Sequence, residues 1–369
     1  MTTAPEAATQ ALPELDYTRT VDRLLVHRDA LGEVFLTDLQ PIDDESYAAA
    51  GQLPRSHAYY GDHLLRPAHH DPLLILETCR QAALAGAHRF FGVPADNKFI
   101  LTHLTLRIDE PQAVFVGSSP LRLAMRVRIS SRRERAGRVT GLDYDITLSS
   151  GTGAAFGTAS VGLRFKDPGG YLTLRLNNRD GMALPSSAAY PSGTPGAPVA
   201  PHLVGRANPD NVVLLDGVVV GDSAQALLRI PARHASLFDH PQDHLPGMVI
   251  AEGARQLALF AALDIRGLST SKTLVTSLDV RFTRFGELED DTVLSAVVGE
   301  LGGPVRPYED PADHTLYTLG GILTGADEDG HERVGEGAWR SEDLKVRVEA
   351  TQKGEELCSF AFTLTRIPA

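Results

Sequence analysis

The sequence predicts an α+β protein in which an antiparallel sheet wraps around one central helix, and it predicts that this unit occurs twice. The first supporting observation is an internal repeat around two glutamates, Glu77 and Glu252, which lie 175 positions apart (252 − 77 = 175). The second is one long, mostly apolar helix in each copy. The third is a series of segments after each helix in which apolar and polar residues alternate. A repeated unit of this kind indicates a tandem duplication.

The repeat extends over two separate blocks. In the first block, His69 and His244 each precede the glutamate by eight positions (77 − 69 = 252 − 244 = 8), and arginine and glutamine follow it three and four positions later. In the second block, the run 272–281 corresponds to the run 98–107 at an offset of 174 (272 − 98 = 174). Because two blocks share nearly the same offset, we expect both halves to fold alike.

A boundary between the halves is expected where the composition changes. The segment 167–201 contains Pro168-Gly169-Gly170 and a stretch rich in Ala, Pro, Ser and Gly, a composition that cannot bury enough apolar surface to fold. A chain of 369 residues is long enough for two ordinary domains. We therefore expect a disordered N-terminus at 1–15, a first repeat at 16–166, a linker at 167–201 and a second repeat at 202–369. The second repeat is expected to contain a polar insertion at 302–313.

Each repeat is expected to begin with a short strand, at 33–38 and 226–230, followed by an irregular loop rich in His, Pro and Asp. The central helices are expected at about 72–91 and 246–264. Each begins with a proline, which is tolerated at the first helical position. The clearest strands after the helices, recognised by alternation with a period of two, are 121–129, 139–149, 155–165 and 358–366.

A helix that is hydrophobic on most sides is a buried helix. One such helix followed by an antiparallel meander is typical of the hotdog architecture, and the sequence therefore predicts a tandem hotdog. We expect the two sheets to pair edge to edge into one continuous sheet, with both helices on its concave side.

The composition excludes several classes of function. A net charge of −12 argues against a nucleic-acid-binding surface, and no stretch approaches the ~20 apolar residues that span a bilayer. The first twenty residues include Glu6, Glu14 and Asp16 and resemble no signal peptide. Two cysteines, Cys79 and Cys358, argue against a disulfide framework or a zinc site. We expect a cytoplasmic protein without nucleic-acid or membrane partners.

Two sets of polar residues lie within the apolar helices. Residues at positions i, i+3 and i+4 share one helix face, and this spacing relates Glu77 to Arg80 and Gln81. The second copy repeats the set as Glu252, Arg255 and Gln256. One interpretation is an ion pair that ties helix to sheet. The other is a catalytic set, because burying such charges costs several kcal/mol per ion unless they are paired or reached by water.

The loops before these helices carry candidate acid/base groups. The pair Asp62-His63 recurs as Asp239-His240, and Asp243-His244 precedes the second helix. Histidine titrates near neutrality without help, so it suits general acid/base chemistry. The halves do not repeat a common set of three ligands, which disfavours a metal site. Cys79 corresponds to Ala254 and is interpreted as a small core residue.

The segment from His63 to Glu77 is similar to the active-site segment of β-hydroxyacyl-acyl-carrier-protein dehydratases, which are hotdog proteins. They place a catalytic His fourteen residues before a Glu on the central helix, and here 77 − 63 = 14. From His240 to Glu252 the spacing is two residues shorter (252 − 240 = 12). Dehydratases are dimers that combine the His of one subunit with the acid of the other. The resemblance implies that a duplicated chain supplies both parts, and it allows a homodimer of this chain.

The sequence also resembles the A-factor biosynthesis (AfsA-type) family of actinobacteria, tandem hotdog proteins of this length. The segments that carry the resemblance are Val26-His27-Arg28, Glu33-Val34-Phe35-Leu36-Thr37-Asp38, Leu53-Pro54-Arg55-Ser56-His57, Asp243-His244-Leu245-Pro246-Gly247-Met248 and the two Glu-x-x-Arg-Gln sets. The resemblance implies synthesis of a γ-butyrolactone or furan-type signalling molecule. A β-ketoacyl thioester of acyl carrier protein or coenzyme A would be condensed with dihydroxyacetone phosphate, and the ester would close to a butenolide phosphate.

The residues suit this chemistry. Glu252 or a neighbouring His could act as the base, Arg255 could meet an anion, and backbone N–H groups after Pro246-Gly247 could bind the oxyanion. We expect one principal site at the helix start 247–256, shared between the halves, and a degenerate second site. The candidate catalytic residues are Glu252, Arg255, Glu77, His63 and His244. The candidate substrate-binding residues are Arg80, Gln81, Gln256, Gly247, Asp243, His69 and His240.

No cofactor is expected, because the sequence lacks a Gly-rich nucleotide loop after a strand. Two alternatives stay open. The same scaffold could carry a thioester hydrolase or a dehydratase, since fold does not fix function. The chain could also be a non-catalytic sensor of a signalling ligand, although a sensor has no obvious need for two acid/base sets.

Overall fold

The structure is a computed structural model that describes residues 12–151, 153–190, 195–301, 324–326, 332–334 and 343–367. Within these ranges the α-helices are α1 (Pro72–Phe91), α2 (Pro168–Asn178) and α3 (Gly247–Arg266). The strands before the second repeat are β1 (Leu36–Pro41), β2 (Ser46–Leu53), β3 (Lys98–Ile108), β4 (Leu121–Arg135), β5 (Arg138–Ser150) and β6 (Ala155–Lys166). Those that follow are β7 (Leu214–Val220), β8 (Ser223–Leu228), β9 (Thr273–Phe282), β10 (Thr292–Leu301), β11 (Thr324–Ala326), β12 (Glu332–Val334), β13 (Asp343–Gln352) and β14 (Glu355–Arg366).

Twelve of these strands form one sheet in the order β1-β2-β4-β5-β6-β3-β9-β14-β13-β10-β8-β7, and all neighbours are antiparallel. Read from the two ends towards the middle, the halves have the same topology. This confirms the predicted tandem hotdog and the edge-to-edge pairing of its two sheets. β11 and β12 form a separate two-stranded sheet.

The two halves meet at β3 and β9, the strands formed by the second repeated block. Thr105 lies opposite Asp279, which is its own counterpart in the repeat (279 − 105 = 174), and Leu104 and Leu106 lie opposite Val280 and Leu278. Such a register places a local two-fold axis at Thr105 and Asp279. The duplicated halves are therefore joined as two subunits of a symmetric dimer would be.

The central helices begin and end where the local sequence favours it. The Asp71 side chain accepts a hydrogen bond from the Leu73 amide at 2.8 Å, and Gly92 ends α1 in the left-handed conformation at φ 63°. α1 has the predicted bounds, whereas α3 extends two residues beyond its expected end at 264. Nearly the whole surface of each helix is buried, so sheet packing supplies most of its stability. None of the described helices is long and apolar enough to cross a membrane.

The segment expected to be an unfolded linker contains α2, so this expectation was wrong for 168–178. The helix is held by charge rather than by apolar burial: Arg175 pairs with Glu287 at 2.7 Å, and Arg179 with Glu289 at 2.7 Å. Composition does not reveal contacts between residues more than 100 positions apart. The proposed domain bounds stay a prediction. Residues 1–11 of the expected N-terminal tail, and the expected insertion 302–313, lie outside the described ranges.

The expected first strands were displaced. The strand expected at 33–38 begins only at Leu36, because Leu31–Glu33 forms a 3-10 turn. Of the strand expected at 226–230, residues 226–228 form the last part of β8, and 229–230 lie beyond its end. The other four predicted strands lie within β4, β5, β6 and β14.

Candidate functional site

Glu77 is a buried carboxylate at the centre of a hydrogen-bond network, with no exposed surface. It accepts from Arg28 Nη2 at 2.6 Å, from Arg80 Nε and Nη2 at 2.8 and 2.9 Å, and from Gln81 Nε2 at 2.9 Å. Burial alone would raise the pKa of Glu77, but Arg28 and Arg80 lower it to about 2. The carboxylate is thus ionised at neutral pH, and both of its oxygens are occupied.

Glu252 has the same surroundings in the second half and is also fully buried. It accepts from Arg206 Nε and Nη2 at 3.0 and 2.7 Å, from Arg255 Nη2 at 2.6 Å, and from Gln256 Nε2. The correspondence of the two sets is complete in residue type, since each glutamate binds two arginines and one glutamine.

Arg28 and Arg206 were not recognised as site residues from the sequence. Each follows a 3-10 turn, Arg23–Val26 or Pro201–Val204, and a residue in the left-handed conformation. The offset between them is 178 (206 − 28 = 178), three more than that of the glutamates, because the connecting loops differ in length. The repeated Val-x-Arg pattern at 26–28 and 204–206 was the available signal.

The glutamines clamp the backbone before the first strand of each repeat. Gln81 Oε1 accepts from the Phe35 amide at 2.9 Å, while Gln81 Nε2 donates to the Glu33 carbonyl at 2.7 Å. Gln256 makes the corresponding bonds to Val213 and Asn211, at 2.9 and 2.8 Å. These contacts support the interpretation that the Glu-Arg-Gln sets tie helix to sheet. A role for Glu77 and Glu252 in turnover stays a prediction.

The aspartates of the two Asp-His pairs link the halves. Asp62 accepts hydrogen bonds from the backbone amides of 207 and 208, at 3.2 and 3.1 Å. Asp239 accepts from the amides of 29 and 30, at 2.6 and 2.9 Å. Each aspartate therefore holds the arginine-bearing loop of the other half, and neither is free to act on a substrate.

A pocket lies between the His/Asp loop of the first repeat and α3 of the second. The space between its walls amounts to about 410 Å³, a volume that includes open solvent. Its polar wall is formed by His63, His69, His70, Asp71 and Arg255. Its apolar wall includes Leu65, Pro72, Val204, Leu259, Leu274 and Val275, and Gly205, Thr270 and Thr273 complete the lining. Residues of both halves are required to form it.

Each histidine of this pocket has a buried ring nitrogen without a hydrogen-bond partner: His63 Nδ1, His69 Nε2 and His70 Nε2. Burial lowers the pKa of His63, and it lowers the pKa values of His69 and His70 to about 4, so these two rings are neutral at neutral pH. His69 Nδ1 lies 2.7 Å from the Pro67 carbonyl oxygen, which can only accept. Nδ1 therefore carries the proton, and Nε2 holds a lone pair.

Arg255 joins the pocket to the buried network. Its Nη1 donates to both Asp71 carboxylate oxygens, at 3.1 and 3.0 Å, and its Nη2 donates to Glu252. Burial opposes ionisation of Asp71, but Arg255 and Arg206 nevertheless lower its pKa. Nε of Arg255 is buried and has no partner. Arg255, whose side chain lines the pocket, thus carries a buried N–H without a partner on a fixed cation.

The counterpart loop of the second half is engaged differently. His240 Nδ1 lies 3.3 Å from Asp239, and His244 Nδ1 bonds the Asp243 carboxylate. Asp243 also accepts from the Tyr171 hydroxyl of α2 at 2.9 Å. Although burial acts to raise the pKa of Asp243, the hydrogen bonds from His244 and Tyr171 lower it. α2 thus packs on the loop in which we expected catalytic groups.

We expected the principal site at the start of α3, with Gly247 admitting a ligand. The pocket described above lies at the start of α1, with Arg255 as its only lining residue from 247–256, and the site expected at the start of α3 stays a prediction. A Cβ atom at Gly247 would lie 3.0 Å from the side chains of both Leu101 and Phe282. Leu101 and Phe282 therefore pack closely on this glycine, and their side-chain ends would have to shift by a few tenths of an ångström to admit a Cβ. Among the described residues, no group of three His, Cys, Asp or Glu side chains is arranged to hold a metal ion.

Comparison with known proteins agrees with the fold and the repeat. A family model described as the A-factor biosynthesis hotdog domain matches residues 9–165 and 191–310. A protein from Streptomyces virginiae named 2-oxo-3-(phosphooxy)propyl 3-oxoalkanoate synthase is 34% identical over 277 residues, covering 74% of this chain and 85% of the relative. Proteins of the same name from Streptomyces griseus subsp. griseus and Streptomyces coelicolor are 30% and 31% identical, covering 80% and 82% of this chain and 89% and 91% of those relatives. The chain belongs to the A-factor biosynthesis hotdog family.

Proposed function

We propose that this enzyme joins a 3-oxoacyl thioester to a hydroxyl group of dihydroxyacetone phosphate. The name of its relatives describes an ester of a 3-oxoalkanoate with a 2-oxo-3-(phosphooxy)propyl group. To form that ester, the hydroxyl oxygen attacks the thioester carbonyl, a C–O bond forms and the C–S bond breaks. The hydroxyl proton passes to the departing thiolate. This reaction needs a hydrogen-bond acceptor for the hydroxyl group and a donor for the oxyanion.

One observation supports the proposal: two residues that line the pocket, His69 and Arg255, each have a buried side-chain nitrogen without a hydrogen-bond partner. His69 Nε2 offers a lone pair, and Arg255 Nε offers an N–H. Buried polar groups in proteins are nearly always hydrogen-bonded, so such exceptions indicate a missing partner. A substrate hydroxyl and a thioester carbonyl are complementary to these two atoms.

His69 acts as the acceptor for the attacking hydroxyl. Its proton is fixed on Nδ1 by the Pro67 carbonyl, and burial keeps the ring neutral. A neutral imidazole of fixed tautomer can accept the hydroxyl proton as the C–O bond forms. The proton is then available to the thiolate, so the ring returns to its starting state.

Arg255 stabilises the oxyanion. Asp71 and Glu252 hold its terminal nitrogens, which fixes the plane of the guanidinium group and leaves Nε for the substrate. A donor fixed in advance and shielded from water stabilises developing charge strongly, because no reorganisation is needed during reaction. In this role Glu252 is a positioning residue, and Glu77 has the corresponding position in the other half.

His63 is the third histidine of the pocket and the one that matches the dehydratase spacing. We assign it to proton removal from the methylene group between the two carbonyls. The resulting carbanion attacks the keto carbon of the triose unit, a C–C bond forms, and the former keto oxygen, protonated, leaves as water with the second methylene proton removed, which gives the butenolide phosphate. The apolar wall, which includes Leu259 and Leu274, accommodates the acyl chain. The thioester is carried by acyl carrier protein or coenzyme A.

The function is tested by incubating the protein with a 3-oxoacyl thioester of each carrier, with and without dihydroxyacetone phosphate, and analysing products by mass spectrometry. We expect the ester or butenolide phosphate only when the triose phosphate is present. Release of the free 3-oxo acid at the same rate without it would identify a thioesterase. Saturable binding of a finished lactone without turnover of either thioester would identify a sensor.

A further inference from the structure

We infer that His27 fills the counterpart of the pocket in the other half, so that each chain offers one acyl pocket and not two. The inference rests on the proposed function, because it takes the pocket beside Gly205 to be the thioester site. A symmetric pair of hotdog halves would have two such pockets. Three differences between the halves occur at positions that line this one.

His27 and Gly205 occupy corresponding positions. Each follows a four-residue 3-10 turn and adopts the left-handed conformation, at φ 53° and 74° respectively. Each also precedes an arginine that binds the glutamate of a central helix, Arg28 or Arg206. Glycine adopts this conformation without steric cost, whereas a histidine there is uncommon. The chain thus carries a histidine in this half where the other half has the glycine that this backbone favours.

The imidazole of His27 lies among residues that correspond to pocket residues. Its ring centroid is 4.7 Å from that of Phe99, and its Nε2 lies 2.9 Å from His88 Nε2, within hydrogen-bond distance. Burial lowers the pKa of His27 to about 3, with further lowering from His88, Arg80 and His240. Phe99, Arg80 and His240 are the counterparts of Thr273, Arg255 and His63, which all line the pocket.

The His27–His88 hydrogen bond fixes this side chain. His88 Nδ1 lies 2.8 Å from the Val93 carbonyl oxygen and donates to it, and His88 Nε2 shares one proton with His27 Nε2. The His27 ring is thus held by a directed bond rather than by packing alone. A flexible surface side chain would not exclude a ligand in this way.

Two more side chains are larger in this half. Phe99 replaces Thr273, and Leu101 replaces Val275. Leu101 Cδ2 approaches within 3.0 Å of the Cβ position of Gly247, the residue that corresponds to Pro72 in the pocket. Histidine for glycine, phenylalanine for threonine and leucine for valine all add volume at one place. The space that is open in one half is filled in the other.

The first test places a histidine at position 205, the counterpart of position 27, so that the side chain fills the open pocket. Gly205→His places histidine on a left-handed backbone that already accepts it at position 27. A Cβ at 205 meets only Leu259 Cδ1 at 3.4 Å and Thr270 at 3.7 Å or beyond, so the variant should fold. We expect ester formation to fall by about 10²-fold or more, because the imidazole displaces the acyl group from its reactive position. Gly205→Ala, which adds only Cβ, should lose far less. Wild-type turnover by a folded Gly205→His protein would overturn the inference.

The second test removes the side chains of His27 and Phe99 that fill the counterpart of the pocket. A hydrolysis-resistant 3-oxoacyl-coenzyme A thioether serves as probe, and native mass spectrometry counts the molecules bound per chain. We expect one for the wild type, two for His27→Gly/Phe99→Thr and none for Gly205→His. A crystal structure of the double variant without ligand should show a second pocket beside Arg80. Two probe molecules on the wild type, or a double variant with one molecule and no new pocket, would overturn the inference.

The outcomes separate this inference from the proposed function. If the wild type binds one probe molecule but makes no ester, the condensation is wrong and the single pocket stands. If the wild type makes ester and binds two probe molecules, the condensation stands and the inference that His27 fills the second pocket is wrong.

Discussion

Arg255 of α3 donates from Nη1 to both oxygens of Asp71, the residue that caps α1, although the two lie 184 positions apart. The contact joins the central helices of the two repeats. Its counterpart does not occur, because Pro246 stands where the second half would need an aspartate. The buried ion pair between Arg255 and Asp71 therefore occurs at the pocket and has no counterpart beside Arg80.

Asp71→Asn should destabilise the protein. The amide keeps the helix cap but leaves the Arg255 guanidinium with one carboxylate, Glu252, and breaking a buried pair costs about 3–5 kcal/mol. Chemical denaturation measures the free energy of unfolding. The matched control is Asp145→Asn, whose partner Arg128 is 2.6 Å away on the surface, and there the loss should stay within about 1 kcal/mol. Equal losses would show that the buried contact contributes no more than the exposed one.

His69→Asn should abolish most of the condensation while preserving the fold. Asparagine Nδ2 can still donate to the Pro67 carbonyl, but the acceptor at Nε2 is lost, and removal of a positioned base costs about 10²–10⁴ in rate. The effect should fall on kcat, with KM for the thioester changed little. A variant that keeps the wild-type kcat would leave His63 as the base, and His63→Asn would then show the loss.

Glu252→Gln should lower turnover more than Glu77→Gln. Both substitutions replace a buried carboxylate by its isosteric amide. Only Glu252 orients Arg255 at the pocket, whereas Glu77 binds Arg28 and Arg80 in the filled half. We expect a loss of about 10²-fold or more for Glu252→Gln, the scale seen when an oxyanion donor is removed. Steady-state ester formation by folded variants gives the comparison. Wild-type rates for Glu252→Gln would make that glutamate purely structural.

The free energy of unfolding, measured by chemical denaturation at each pH, should decrease as the pH falls from 7 to 5. His27, His69 and His70 are neutral in the folded protein because their pKa values are lowered to about 3, 4 and 4. In the unfolded chain they take up protons below about pH 6.5, so the unfolded state binds more protons and gains stability on acidification. Each group should contribute on the order of 1–2 kcal/mol at pH 5. His69→Asn should flatten the dependence, and an unchanged slope would show that His69 is not buried in its neutral form.

The two central helices and most of the strands were predictable because their signals are local, whereas α2 was not predicted. α1 is recognisable from an apolar run that begins at Asp71-Pro72, and β4 from its alternation. The repeat offset then placed each element twice. The edge-to-edge pairing of the halves was also predicted, since equivalent edges of a duplicated unit can pair around a two-fold axis, but the prediction did not name β3 and β9 as the joining strands.

The site was less predictable because its contacts are long-range. Arg28 and Arg206 lie 49 and 46 positions from the glutamates that they bind, so no helical spacing reveals them. Gly247 indicated a ligand site because glycine allows close approach, but the approaching atoms belong to Leu101 and Phe282. A glycine in the sequence indicates that some atom approaches the backbone closely at that position. It does not show whether that atom belongs to a ligand or to another side chain of the protein.

The two-fold register of Thr105 and Asp279 has a consequence for how the halves have diverged. In a dimer of identical hotdog subunits, every substitution appears in both sites, and the assembly separates on dilution. Here the covalent connection sets a fixed effective concentration of one half for the other, and each position is encoded separately. Position 27 can therefore be histidine while the corresponding position 205 is glycine. One half can specialise while the other keeps the pocket.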